Sequence, residues 1–279
     1  MNRNIYPSLW FNGNARKAAD LYCQVFPGFT ISAENPMVVT VAGHGQQLML
    51  INGGPEFTPN PSISFFVVFD SAQELEKAWH QLLEGGSVLM PLDAYPWSST
   101  YGWLQDRFGV NWQLYLGQMA ETNQFIIPAL MFNGEQNGHA EEAISYYTSV
   151  FRDSSVAVVE RYQEGEHDIT GNVKHARFSI EGFALAAMDS SMPDPFIFNE
   201  GVSLVVECDS QEEIDYYWYK LSEGGIESQC GWLKDQFGVS WQVVPSVLGK
   251  LMADPARSGR VVQAFLKMKK FDIQALLNA

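Results

Sequence analysis

Residues 102–114 read Gly-Trp-Leu-Gln-Asp-Arg-Phe-Gly-Val-Asn-Trp-Gln-Leu, and residues 231–243 read Gly-Trp-Leu-Lys-Asp-Gln-Phe-Gly-Val-Ser-Trp-Gln-Val. Nine of the thirteen positions are identical, far beyond chance for a segment holding two tryptophans. Read backwards from this motif, the correspondence continues in order. Gly85-Gly86 answers Gly224-Gly225, Phe69-Asp70-Ser71 answers Cys208-Asp209-Ser210, and Ala15 to Phe26 answers Ala140 to Phe151. Pro7-Ser-Leu-Trp-Phe-Asn-Gly answers Pro128-Ala-Leu-Met-Phe-Asn-Gly. The chain is a tandem duplication, with halves expected at 1–118 and 125–245 and a polar joint around Glu121 to Gln124. A period near 120 residues is too long for a solenoid, whose repeats run to about 20–45 residues.

Each half repeats a simpler pattern inside itself. Ile5–Phe11 reads as a strand closed by Asn-Gly. Ala15–Phe26 is apolar at 15, 18, 19, 22, 25 and 26, which is helical spacing. Three strands are expected near 29–34, 37–42 and 47–52. The order then restarts with a strand over Ser62–Phe69. A capping box, Ser71-Ala-Gln-Glu74, opens a helix whose core face is Leu75, Ala78, Trp79 and Leu82, and Gly85-Gly86 ends it. Strands near 87–91, 101–105 and 111–116 complete the set. Each half is therefore βαβββ twice over, an α+β fold of four modules. The first half also carries about ten extra residues, Pro91 to Thr100, rich in aromatics and turn formers, whose reading stays open between a flap and an ordinary surface excursion.

Composition narrows the class. Of 279 residues, 46% are hydrophobic and 13% aromatic, enough for a sizeable packed core. The net charge of −15 makes duplex nucleic acid and anionic membranes poor partners. No apolar run approaches the roughly 18 residues of a membrane helix. Three cysteines, Cys23, Cys208 and Cys230, cannot all pair, and Met1 is followed by no basic-then-apolar leader, so the chain reads as cytoplasmic with reduced thiols. Residues 246–279 differ in kind: six basic side chains stand against Asp254 and Asp272. They are expected to form a basic helical extension docked on the acidic body or across a homodimer.

The paired βαβββ order, Asn-Gly-Asn-Ala before the first helix and the Gly-Trp-Leu-x-Asp-x-Phe-Gly-Val-x-Trp-Gln motif together resemble one family. It is the PhnB-like branch of the vicinal-oxygen-chelate superfamily, with the glyoxalase, bleomycin-resistance and dioxygenase proteins, often labelled 3-demethylubiquinone 3-methyltransferase. The resemblance implies two glyoxalase-like domains whose modules curl their sheets into half-barrels around a small-molecule site. It also implies metal ligands on the first strand of each module and a carboxylate on the last. Here the carboxylate positions hold Gln113 and Gln242. The strands Ile5–Phe11 and Ile127–Phe132, and the opening Ser62-Ile-Ser64, hold no His, Asp or Glu. Only Glu200 lies near the remaining first strand. A resident metal is not expected, and neither is any other cofactor.

Other chemistries find little in the sequence. No G-x-G-x-x-G, P-loop or G-x-S-x-G elbow occurs, so methyl transfer from S-adenosylmethionine has no visible seat. The five histidines form no close pair, and Asp106 and Asp235 read as turn-capping carboxylates. Strand alternation puts Asn111, Gln113 and Tyr115 on one face and Trp112 and Leu114 on the other. Ligand-binding candidates are Ser62, Ser64, Tyr101, Trp103 and Gln113 in the first half, with Ser203, Trp232 and Gln242 in the second. The expected function is metal-free binding of a small apolar or aromatic molecule. The alternatives are a lyase, isomerase or dioxygenase of the superfamily, and a scaffold with a filled interior.

Overall fold

A computed structural model describes residues 4–118, 124–193 and 196–279. Residues 121–123 of the expected joint lie outside the described residues. The chain divides into two compact units, Pro7–Val202 and a smaller one made of Asn4–Tyr6 with Ser203–Ala279.

Four βαβββ modules follow one another. The first is β1 (Ile5–Phe11), α1 (Ala15–Val25), β2 (Thr30–Glu34), β3 (Val38–Gly43) and β4 (Gln46–Asn52). The second is β5 (Ile63–Phe69), α2 (Ala72–Leu83), β6 (Ser87–Tyr95), β7 (Ser98–Gln105) and β8 (Asn111–Leu116). The third is β9 (Ile126–Asn133), α3 (Ala140–Val150), β10 (Ser155–Arg161), β11 (Val173–Ile180) and β12 (Phe183–Ser190). The fourth is β13 (Val202–Cys208), α4 (Gln211–Ser222), β14 (Ile226–Glu227), β15 (Trp232–Lys234) and β16 (Ser240–Pro245).

Within a module the first strand pairs parallel with the last, and the middle strands complete an antiparallel meander. In the larger unit, β5 pairs antiparallel with β9, so the second and third modules share one eight-stranded sheet of order β10-β11-β12-β9-β5-β8-β7-β6. The first module adds a sheet of order β1-β4-β3-β2. In the smaller unit the order is β14-β15-β16-β13, and Glu207 N donates to Asn4 O.

Helix starts follow two rules. Ser71 and Ser210 cap α2 and α4 locally, accepting from Glu74 N and Glu213 N. For α1 and α3 the local residues Asn14 and His139 make no side-chain cap. The cap arrives instead from the last strand of the module: Asn52 Oδ1 accepts from Ala15 N at 3.0 Å, and Asp189 Oδ1 from Ala140 N at 3.0 Å. This satisfies a helix-end donor while locking helix to sheet.

The extra residues 91–100 are mostly exposed. They lengthen β6 and β7 into a hairpin, in which Tyr95 and Trp97 stack at 5.1 Å.

The C-terminal extension forms α5 (Val247–Ala253), α6 (Ser258–Phe265) and α7 (Ile273–Asn278). It docks on its own unit. Cys230 N and Gly231 N donate to Met268 O and Lys269 O, and Gln211 bridges Phe271 O and Ile273 N. Lys270 meets Asp215 at 2.5 Å and Lys269 meets Glu227 at 3.6 Å. The basic tail thus lies against acidic side chains of α4 and β14, as its charge suggests. Among the described residues no helix is long and apolar enough to cross a membrane.

Candidate functional site

The two faces of β8 do different work. Trp112 lies under the helices, its ring 5.1 Å from Tyr22 and 4.9 Å from Phe26. Gln113, one residue on, points to the opposite face and is 2% exposed. Its Nε2 donates to Ser64 Oγ at 2.7 Å, and its Oε1 accepts from the Tyr101 hydroxyl at 2.5 Å. Burial holds the Tyr101 phenol well above its usual range, so it stays a donor at neutral pH. The smaller unit repeats the motif: Gln242 Nε2 donates to Ser203 Oγ at 2.9 Å. There Cys230 stands in place of Tyr101.

The residues around Gln113 are aromatic on one side and small and apolar on the other. Trp103 is its register partner on β7 and Phe66 on β5. Both are half-buried. Phe66 meets Tyr115 and His175 edge-on, at 6.1 and 5.9 Å. Ile127, Ala129 and Ala186 extend the same face across β9 and β12, with Phe66, Ala184 and Met188 packed against them. Burial pushes the His175 imidazole below its usual range, and Arg177 adds to the effect against the opposing Glu160. The ring is therefore neutral at pH 7.

Two buried polar atoms of this face have no hydrogen-bond partner, Trp103 Nε1 and Asn111 Oδ1. The Nδ2 of Asn111 is committed to Gly109 O at 3.0 Å. Sequence reasoning named Trp103 as a lining residue, but its orphaned N–H depends on tertiary placement. The β6–β7 hairpin approaches the cluster from above: the rings of Tyr95 and Trp97 lie 5.5 and 5.7 Å from that of Tyr101.

Not every candidate joins the site. Ser62 is 3% exposed and engages through its backbone, with N donating to Asn60 Oδ1 and O accepting from Met131 N. Of the two serines it is Ser64 that meets Gln113. Trp232 is half-buried in register with Gln242, as Trp103 is with Gln113. Asp106 and Asp235 are turn carboxylates, as read from the sequence. Asp106 accepts from Phe108 N, Val110 N, Trp112 Nε1 and Tyr22 Oη, and Asp235 from Phe237 N, Val239 N and Trp241 Nε1.

The metal that the sequence resemblance implies does not fit these residues. Both amide atoms of Gln113 are already engaged with side chains, and the cluster holds no carboxylate or imidazole. Among the described residues no three His, Cys, Asp or Glu side chains converge as a ligand set.

A family profile described as 3-demethylubiquinone-9 3-methyltransferase matches the chain twice, at residues 3–115 and 124–244. A putative 3-demethylubiquinone-9 3-methyltransferase, PhnB protein, from Bacillus cereus is 31% identical over 40% of this chain and 98% of its own, with a TM-score of 0.36. Protein PA1353 from Pseudomonas aeruginosa is also 31% identical, over 40% of this chain and 95% of its own, at 0.37. Glyoxalase I from Zea mays is 11% identical but covers 90% of this chain and 97% of its own, with a TM-score of 0.58, a likeness of fold. No curated protein matches the chain.

Proposed function

Because the chain belongs to the 3-demethylubiquinone-9 3-methyltransferase family, a PhnB-like branch of the vicinal-oxygen-chelate superfamily in tandem form, we propose that it binds a small, largely apolar molecule without a metal. The proposed seat is the helix-free face of the sheet shared by the second and third modules. The observation that carries this reading is the buried Gln113–Ser64–Tyr101 cluster, placed beside the half-exposed rings of Phe66, Trp103 and Tyr115. A few fixed polar groups in an apolar setting orient a ligand, while the apolar wall supplies the affinity. The second Nε2 hydrogen of Gln113 and the Ser64 hydroxyl proton suit a carbonyl oxygen without a Lewis acid. Gln242, Ser203 and Trp232 form the corresponding, simpler arrangement in the smaller unit.

The methyl transfer in the family's description gains no support from these residues. A methyl donor is usually held by a glycine-rich turn after a strand of a Rossmann-like sheet, whereas these sheets are mixed and the sequence lacks that motif.

The test is a thermal-shift screen of small apolar and aromatic compounds, followed by calorimetry on Gln113→Ala and Gln242→Ala. A ligand that stabilises the wild type by mass action and loses affinity in Gln113→Ala supports the reading. Ligands that bind equally well to both variants and the wild type would exclude this face. A retained equivalent of transition metal, lost in either variant, would overturn the metal-free assignment.

A further inference from the structure

Resting on the binding site proposed above, we propose that its ligand carries a carbonyl oxygen, as a ketone or a carboxylate, on a flat apolar body, and that the Trp103 indole N–H selects for it. Hydrogens and lone pairs can be counted. The Tyr101 proton is spent on Gln113 Oε1, and one Gln113 Nε2 hydrogen on Ser64 Oγ. Ser64 therefore accepts and keeps its own proton to give. Gln113 keeps a second N–H. Trp103 Nε1, a group that can only donate, is buried with nothing to donate to. Three donor hydrogens thus remain around one register position, where Trp103, Gln113 and Phe66 stand side by side on β7, β8 and β5. A buried donor left unmade is costly, so the ligand that satisfies it gains selectivity over one that cannot.

Charge points the same way. No carboxylate lies in the cluster to receive an ammonium group. Asp93, the register partner of Tyr101 on β6, is exposed and accepts from Ala94 N, and Glu160 on β10 pairs in register with His175. Arg177, on β11, lies in the register row of Ala186, Ala129 and Ser64, three strands from Ser64. An ammonium group would find one unpaired acceptor here, Asn111 Oδ1, while an oxygen acceptor meets up to three donors. The body of the ligand is set by the neighbours: the Phe66 ring on one side, and the short side chains of Ala129, Ala184 and Ala186 beyond it, favour a flat group over a branched one.

Four probes sharing one ring system separate the terms: naphthoate, acetonaphthone, ethylnaphthalene and naphthylmethylamine. Each is titrated into the full-length ¹⁵N-labelled protein while the eight indole N–H signals are followed, that of Trp103 being assigned by its loss in Trp103→Phe. Naphthoate and acetonaphthone are expected to move the Trp103 signal and to bind about tenfold tighter than the other two, the worth of one good hydrogen bond. In Trp103→Phe that advantage should fall below about twofold, with ethylnaphthalene unchanged. Which of the two carbonyl probes binds tighter tells ketone from carboxylate. Equal binding of all four, or carbonyl binding with an unmoved Trp103 signal because water holds the N–H, overturns the inference and leaves the binding site standing. If none of the four perturbs the protein, the binding reading itself falls, and the inference with it. The wild-type titration decides the matter even if the variant folds poorly.

Discussion

The hydroxyl of Tyr22 donates to Asp106 Oδ2 at 2.8 Å across 84 positions of sequence, joining the first helix of one module to the closing turn of the next. Asp106 accepts three further bonds, two from its own turn and one from Trp112, and is 3% exposed. Burial raises its pKa, partly offset by these donors. Tyr22→Phe removes one donor and little volume. It should cost about 1.5–3 kcal/mol, the range for a hydrogen bond to a charged group. Urea unfolding would show this as a lower midpoint at unchanged slope. A loss under about 0.5 kcal/mol would mean that the bond adds little to the turn's own four-residue geometry.

Gln113 and Gln242 occupy equivalent positions but carry different loads. Gln113→Ala strands both the Tyr101 hydroxyl and Ser64, whereas Gln242→Ala removes the donor to Ser203. Each stranded buried group costs about 1–3 kcal/mol, so the first variant should be less stable than the second by roughly that amount. Parallel chemical denaturation of the two variants checks the difference. Equal losses would show that the Tyr101 hydroxyl relaxes to another acceptor.

His175 should make the protein acid-sensitive. Its folded-state pKa lies below the unfolded value, chiefly through burial. The neutral ring's contribution to stability is therefore complete above the unfolded value of about 6.5 and is lost as pH falls from there through the folded pKa. His175→Phe should flatten that part of the stability–pH curve while leaving stability at pH 8 nearly unchanged. A variant whose curve keeps the wild-type slope below pH 6.5 would assign the acid sensitivity to other groups.

Gly231 fixes the seat of the C-terminal extension. Its φ is +81°, and a Cβ there would stand 2.5 Å from Val243 O and 2.6 Å from the Phe271 ring. Phe271 is itself 2% exposed. Gly231→Ala combines backbone strain with a clash and should displace α6 and α7, and Phe271→Ala should cost about 3–5 kcal/mol. Amide exchange read by mass spectrometry would show residues 258–278 opening first. Uniform loss of protection would mean that the extension unfolds only with the rest of its unit.

Trp97 tests the hairpin. It is exposed, yet its ring stacks on Tyr95 and meets Tyr101 edge-on. Trp97→Ala should weaken ligand binding at Gln113 several-fold with under about 1 kcal/mol lost in stability, since the ring is largely solvated. Unchanged affinity would make the hairpin a surface feature without a part in binding.

Much of this molecule was legible in its residues. The repeated Gly-Trp motif gives the duplication, and apolar spacing gives the strands and helices of the first two modules within a residue or two, except that β6 runs on to Tyr95 and β7 begins at Ser98. Strand alternation separates Trp112 from Gln113 before any coordinate is known. Those signals are local, because helix and strand periods are written into neighbouring positions. What joins modules is not. Pairing between β5 and β9 is made by backbone N–H and C=O groups, which every residue except proline supplies alike, so no side-chain pattern announces which edges meet. The same holds for caps that arrive from a distance. Asn52 and Asp189 bind the first turns of helices 37 and 49 residues upstream, while the adjacent Asn14 and His139 make no side-chain cap. The site divides in the same way. Sequence placed Gln113, Trp103 and Tyr101 on neighbouring strands. Only the tertiary structure decided that Tyr101 and Ser64 would occupy both ends of the amide and leave the indole N–H of Trp103 unspent, because that outcome depends on ångström-scale reach between side chains rather than on their order in the chain.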